Sequence, residues 1–282
     1  MSFGVAALQL DLARGDNRAR LADEVAALKR RLGWVDMIVL PELAAFGPGV
    51  AHAEPREGPT EAMFADMARA AGVWLVNGSL YEADDDRIYN TATVFAPDGR
   101  VAARHRKLYP FLPYEVGVTP GTAPAAFDVP GVGRFGVAIC YDIWFPEVAR
   151  ALARDGAEVI VNPVLTNTID RDVEVALVRA TAAANQLYVV SVNVAGAMGM
   201  GRSAVFGPGG EAVHLAESAR EIIAVDLDLA HVRRCRATGW HGLGQVLKSY
   251  RDGPLGTEMR APALDALGPL EPRPHTRPEG LP

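Results

Sequence analysis

The chain of 282 residues carries 28 Lys and Arg against 34 Asp and Glu, a formal net charge of −6. The basic residues are scattered rather than clustered, which argues against a nucleic-acid surface, and no apolar run reaches membrane-spanning length. With 49% hydrophobic and 22% charged residues the chain can bury a full core, and no linker-like stretch divides it. One large α/β domain is expected over residues 1–252, followed by a Pro/Gly-rich arm over 253–282. The start Met1-Ser-Phe-Gly-Val-Ala-Ala-Leu8 lacks the basic opening and cleavage site of a signal peptide. Cys140 and Cys235, far apart in sequence, read as free thiols in a reducing, cytoplasmic compartment.

In chain order, Phe3 to Leu10 reads as a strand. Asp16 is placed to cap a helix whose Leu21, Val25, Leu28 and Leu32 recur at helical spacing and which ends at Gly33. Met37 to Leu40 is a short buried strand, Thr60 to Ala71 a helix closed by Gly72, and Val73 to Leu80 the next strand. Thr91 to Ala96 and Val101 to Arg104 flank Pro97-Asp-Gly-Arg100, which has the residues of a hairpin turn. Val159 to Val161 and Leu187 to Val194 are buried strands on either side of a helix from about Val173 to Asn185. Ala204 to Phe206, Ala212 to Leu215 and Ile222 to Val225 form a closing meander. Hairpins mixed with strand–helix crossovers do not make a simple doubly wound pattern; they fit two sheets packed together with helices outside. From Gly253 onward proline and glycine exclude a regular element, and the arm is read as disordered or as lying at a subunit interface.

The most informative stretch is Arg134-Phe-Gly-Val-Ala-Ile-Cys-Tyr-Asp-Ile-Trp-Phe-Pro-Glu147. A buried strand ends on a thiol, and Pro146 opens a helix, because proline suits a first helical turn. Free backbone N–H groups and a helix dipole at such a junction favour the thiolate. An isolated cysteine after an apolar run is usually structural; two other charged residues in unusual places change that reading. Glu42 follows the apolar run Met37-Ile-Val-Leu40 and a proline, and Lys107 lies in Arg104-His-Arg-Lys-Leu-Tyr-Pro110.

Leu-Pro-Glu-Leu43, His-Arg-Lys-Leu108 and Cys140-Tyr-Asp-Ile-Trp-Phe-Pro-Glu147, in this order, resemble the nitrilase superfamily of carbon–nitrogen hydrolases. The resemblance runs from Phe3 to about Asp252. It implies a four-layer α-β-β-α sandwich of two mixed sheets with outer helices, paired into homodimers or larger assemblies. It also implies hydrolysis of a small amide through a cysteine thioester, with release of ammonia and a carboxylic acid and no cofactor. Cys140 is then the nucleophile and Glu42 its base. Lys107 and the N–H of Tyr141 would hold the substrate oxygen, since an oxyanion donor is worth about a hundredfold to a thousandfold in rate. Glu115, in a loop that resembles the amidases, would position the substrate amide. The aromatic side chains of Tyr141, Trp144 and Phe145 could line the pocket, and Thr166 and Asn167 stand where relatives contact substrate. Cys-Tyr-Asp in place of Cys-Trp-Glu points to amidases and carbamoylases rather than nitrilases.

Relatives commonly read Arg-Ala-x-x-Glu-Asn before the Tyr-Val-Val strand; here Ala184 takes the glutamate's place, which puts local geometry near the nucleophile in question. The alternatives are an N-carbamoyl amino acid amidohydrolase, a nitrilase, or an inactive relative serving as a binding or assembly subunit. The six histidines form no pair with metal-ligand spacing, so no zinc site is indicated. Gly196-Ala-Met-Gly-Met-Gly201 has the wrong glycine order for a dinucleotide loop and reads as a turn. Cys235 lies on a polar helix between arginines, which could lower its pKa.

Overall fold

A computed structural model describes residues 2–112, 114–255 and 262–269. The chain opens with β1 (Ser2–Gln9), α1 (Arg18–Arg31) and β2 (Met37–Val39). The short β3 (Glu54–Pro55) and α2 (Pro59–Ala71) lead to β4 (Trp74–Val76), β5 (Leu80–Asp84), β6 (Arg87–Phe95) and β7 (Val101–Arg106). The hairpin β8 (Ala125–Val129) and β9 (Gly133–Val137) precedes α3 (Pro146–Arg154), β10 (Val159–Val164), α4 (Arg171–Asn185) and β11 (Tyr188–Asn193). Then come β12 (Ala204–Phe206), β13 (Ala212–Leu215), β14 (Glu221–Asp228), α5 (Leu229–Thr238), α6 (Val246–Asp252) and α7 (Pro262–Asp265).

These strands form two mixed sheets. In the first, the order is β14-β1-β2-β4-β6-β5-β3, with β7 also paired to β6; in the second it is β13-β12-β11-β10-β9-β8. Side-chain alternation explains why both are sandwiched. On β1, Phe3, Val5 and Ala7 point into the layer between the sheets, where they meet Val137, Val161 and Val190 of the second sheet. Their neighbours Ala6 and Leu8 point the other way, onto Leu21, Val25 and Phe64 of α1 and α2. On β10, Val159 and Val161 face the first sheet while Ile160 packs on Leu152 and Val178 of α3 and α4. Three apolar layers therefore separate four layers of secondary structure, and near-continuous apolar runs are what strands buried on both faces require.

Several expectations shift in detail. The strand read over Val73 to Leu80 is two strands, broken at Asn77-Gly-Ser79. Asn17, not Asp16, is the helix N-cap residue, although the Asp16 carboxylate still accepts the Arg18 N–H. The strand expected before Cys140 is β9, but its hairpin partner β8 is not foreseen, because Ala125-Ala-Phe-Asp-Val129 is short and carries a charge. The arm beyond Gly253 does hold a regular element. Proline suits a first turn, and α7 buries Leu264 against α3 and α6 while Arg251 donates to the Leu264 and Gly268 carbonyls. The rest of that arm lies outside the described residues. Among the described residues no helix is long and apolar enough to cross a membrane.

Candidate active site

Glu42 is delivered by a turn at the end of β2. Leu40 donates to the Val76 carbonyl, and Leu43, at φ 51°, turns the chain while its N–H donates to Ser79 Oγ at 3.1 Å. The turn lies so close to the break after β4 that a Cβ on Gly78 would fall 1.8 Å from the Pro41 carbonyl oxygen, so glycine is required there. Across the sandwich, the Glu42 N–H donates to Val164 at the end of β10. Lys107 follows β7, with its N–H on the Asn90 carbonyl of β6. Glu115 sits in the loop beyond, its Oε2 accepting from the Phe111 N–H at 2.6 Å.

These three side chains meet. Lys107 Nζ lies 2.8 Å from Glu42 Oε1 and 2.7 Å from Glu115 Oε2. Asn90 Nδ2 ties the same two carboxylates from the other side, at 2.8 Å each. All are nearly or fully buried, Lys107 at 2% exposure. Two carboxylates around one ammonium in a dry pocket require that ammonium to stay charged.

Cys140 stands on the facing sheet, at φ 43°, where β9 gives way to a single 3-10 turn over Cys140–Trp144. Its Sγ lies 3.6 Å from Thr166 Oγ1 and 3.8 Å from Glu174 Oε1. The turn is fastened by Asp142, fully buried. Its Oδ2 accepts from the Ile139 N–H at 3.0 Å and pairs with His105 Nε2 at 2.8 Å; its Oδ1 accepts from the Leu108 and Tyr109 N–H groups. One carboxylate thus clamps the residue before the thiol to the residues after Lys107. Asp142→Asn would turn an amide NH2 toward donors on one side and loosen the clamp. We expect kcat to fall about tenfold to a hundredfold with KM little changed. Steady-state kinetics check this, and an unchanged kcat would contradict it.

The electrostatics correct one expectation. The sequence suggests a thiol helped toward thiolate by a helix dipole, but the 3-10 turn separates Cys140 from α3. Burial, then the carboxylates of Glu42 and Glu174, push the Cys140 thiol well up; Lys107 and the Thr166 hydroxyl oppose them only in part. At rest the group is a neutral thiol. Burial also raises Glu42, against the pull of Lys107. Lys107 behaves oppositely: burial alone would lower it, yet Glu42, Cys140 and Glu115 hold it far above its ordinary value.

The four groups open onto a cavity of about 410 Å³. Tyr141, Trp144, Thr166 and Asn167 all line it, as do Glu42, Lys107, Glu115 and Cys140. A family description, carbon-nitrogen hydrolase, matches residues 4–237. The chain belongs to the carbon–nitrogen hydrolase family. Omega-amidase NIT2 of Danio rerio is 31% identical over 258 residues, spanning 83% of this chain and 91% of the relative. Omega-amidase NIT2 of Homo sapiens is 28% identical, spanning 93% and 99%. Nit3 of Saccharomyces cerevisiae, a member of branch 10 of the nitrilase superfamily, superposes with a TM-score of 0.77 at 30% identity over 83% of this chain and 93% of that one. A mutant amidase of Nesterenkonia sp. AN1, with the acetamide moiety of fluoroacetamide covalently added at its active-site cysteine, superposes at 0.73 with 25% identity over 82% and 92%.

As a carbon–nitrogen hydrolase the chain has features that sequence reasoning missed. Glu174, on the first turn of α4, is 1% exposed and faces the sulfur, paired with the equally buried Arg171. Only the i,i+3 spacing of Arg171 and Glu174 hinted at the pair. Asn90, in mid-strand, joins the two carboxylates. Met198, from the glycine-rich segment read as a turn, lines the cavity. Ala184, by contrast, lies exposed on the last turn of α4, where Arg150 of α3 donates to its carbonyl at 2.9 Å. The side chain lost there faces the surface, and the expected disturbance around the thiol is not found. Cys235 is buried on α5, and burial raises rather than lowers its pKa. Among the described residues no group of three His, Cys, Asp or Glu side chains could hold a metal ion.

Proposed function

We propose that this carbon–nitrogen hydrolase cleaves a small primary amide through a thioester on Cys140, releasing ammonia and then a carboxylic acid. The observation that carries this reading is Lys107 bridging Glu42 and Glu115 in the same cavity as the thiol. Glu42 takes the proton from Cys140. Moving a proton between two buried groups leaves the cavity's total charge unchanged, so low polarity does not forbid it, and Lys107 stabilises the thiolate that results. The sulfur attacks the amide carbon, and the oxygen gathers charge against Lys107 and the Tyr141 N–H. Glu115 holds the amide nitrogen, and the C–N bond breaks as ammonia takes up the proton. Water, deprotonated by Glu42, then attacks the thioester; the C–S bond breaks and the acid leaves. Trp144, Thr166 and Asn167 contact the acyl part.

Acyl-adduct formation, followed by rapid mixing with a short amide and intact-protein mass spectrometry, tests the reading. The adduct should map to Cys140. Because Glu42 must be ionised to accept the proton and its pKa is raised, acylation should speed up as pH rises through a value above about 4.3, the ordinary glutamate figure. Lys107 stays charged throughout, so it imposes no alkaline fall. A missing adduct, or an adduct on another residue, would overturn the proposal.

A further inference from the structure

Glu174 is a third buried carboxylate in this cavity, and the hydrolysis outlined above makes no use of it. Its Oε2 is held by Arg171 Nη1, and Arg171 is itself anchored to the Arg202 carbonyl through Nη2. Among the described residues, Oε1 has only the Cys140 thiol as a partner, at 3.8 Å. Arg171 does not line the cavity, so it locks the carboxylate from behind and leaves the oxygen facing the reacting sulfur. An ionised carboxylate accepts hydrogen bonds and donates none. Once the sulfur carries an acyl group, Oε1 needs a donor from that group; an apolar chain would leave it buried and unpaired, and a carboxylate would meet like charge. Asp170 lines the same cavity and adds to the negative side. Arg14, also lining it, stands at the exposed rim, where solvent screens it.

We infer that the preferred substrate is a short amide whose acyl part carries an amino group, protonated at neutral pH and seated on Glu174. Thr166, whose Oγ1 lies 3.6 Å from the same sulfur, lines the cavity too and offers this ammonium a hydroxyl oxygen as well. The inference rests on the thioester reading and adds the substrate's charge to it.

Three near-isosteric amides test it by ammonia release: 3-aminopropanamide, butanamide and succinamate. The wild-type enzyme should favour the amino compound over butanamide by more than tenfold in kcat/KM, and over succinamate by more still. In Glu174→Gln that ratio should collapse toward one. Glu174→Asp keeps a charge for Arg171 while withdrawing it from the sulfur, and the ratio should fall there too. This second variant decides the matter if the first does not fold. Preference for butanamide or succinamate, or an unchanged ratio in a folded variant, overturns the inference but leaves the hydrolase reading standing. Absence of turnover on every amide, with no adduct on Cys140, overturns both.

Discussion

Cys140→Ala is expected to lower amide turnover by about ten-thousandfold or more while leaving the fold in place. Groups that act as one unit in covalent catalysis lose nearly all of it when the nucleophile goes, because the remaining residues have no bond to make or break. In this enzyme Glu42 would then have no thiol to deprotonate, and Lys107 no thiolate to stabilise. The structural consequence should be small. Cys140 is 8% exposed, and its side chain lines the cavity as well as meeting the core between the sheets, so a methyl group in its place keeps part of that packing. Its contacts with Thr166 Oγ1 and Glu174 Oε1 are long ones, at 3.6 and 3.8 Å. Loss of about 1 kcal/mol or less is expected in denaturant unfolding. Cys140→Ser should be as inactive, since a hydroxyl in the same surroundings is far harder to ionise. Turnover above about a thousandth of the wild type in a folded alanine variant would remove the thioester from consideration.

How much of this was legible beforehand depends on which force placed each residue. Glu42 and Cys140 stand at the ends of apolar runs, and burial of such runs on both faces is a local signal that survives without coordinates. Lys107 follows a hairpin whose turn, Pro97-Asp-Gly-Arg100, is written in residues of fixed backbone preference. Glu174 carries no comparable mark. Arg171-Asp-Val-Glu174 reads as an ordinary polar helix start, and only the packing of α4 beside the Cys140 turn buries Arg171 and Glu174 together. The thiol's ionisation was misjudged for a related reason. A helix dipole can be inferred from Pro146, but the thiol's burial and the two carboxylates of Glu42 and Glu174 that converge on it from other parts of the chain cannot. The break at Gly78 is likewise tertiary, since its reason is the Pro41 carbonyl lying against it.

Replacing Lys107 with Met should damage both activity and stability, and pH should separate the two effects. The side chain is buried between Glu42 Oε1 and Glu115 Oε2, and both carboxylates also share the single Asn90 Nδ2. Methionine matches its length and packs in apolar surroundings, so the variant removes the charge with little change of shape. Two buried carboxylates would then face each other without a cation. Breaking a buried pair by removing one partner costs about 3–5 kcal/mol, and here one removal strands two acids. In the variant their folded pKa values must rise above the unfolded ones. Protonation relieves the penalty, so the stability gap to the wild type should be smallest below about pH 4, under the unfolded glutamate value. As pH climbs through the raised folded values the gap should widen to its full size. Denaturant midpoints measured across pH 4 to 8 would trace that curve. Amide turnover should fall about a thousandfold or more throughout, because the variant loses an oxyanion donor and the charge that stabilises the thiolate. A variant as stable as the wild type at pH 8, with turnover within tenfold, would mean that Lys107 is neither the bridge nor the charge on which the chemistry depends.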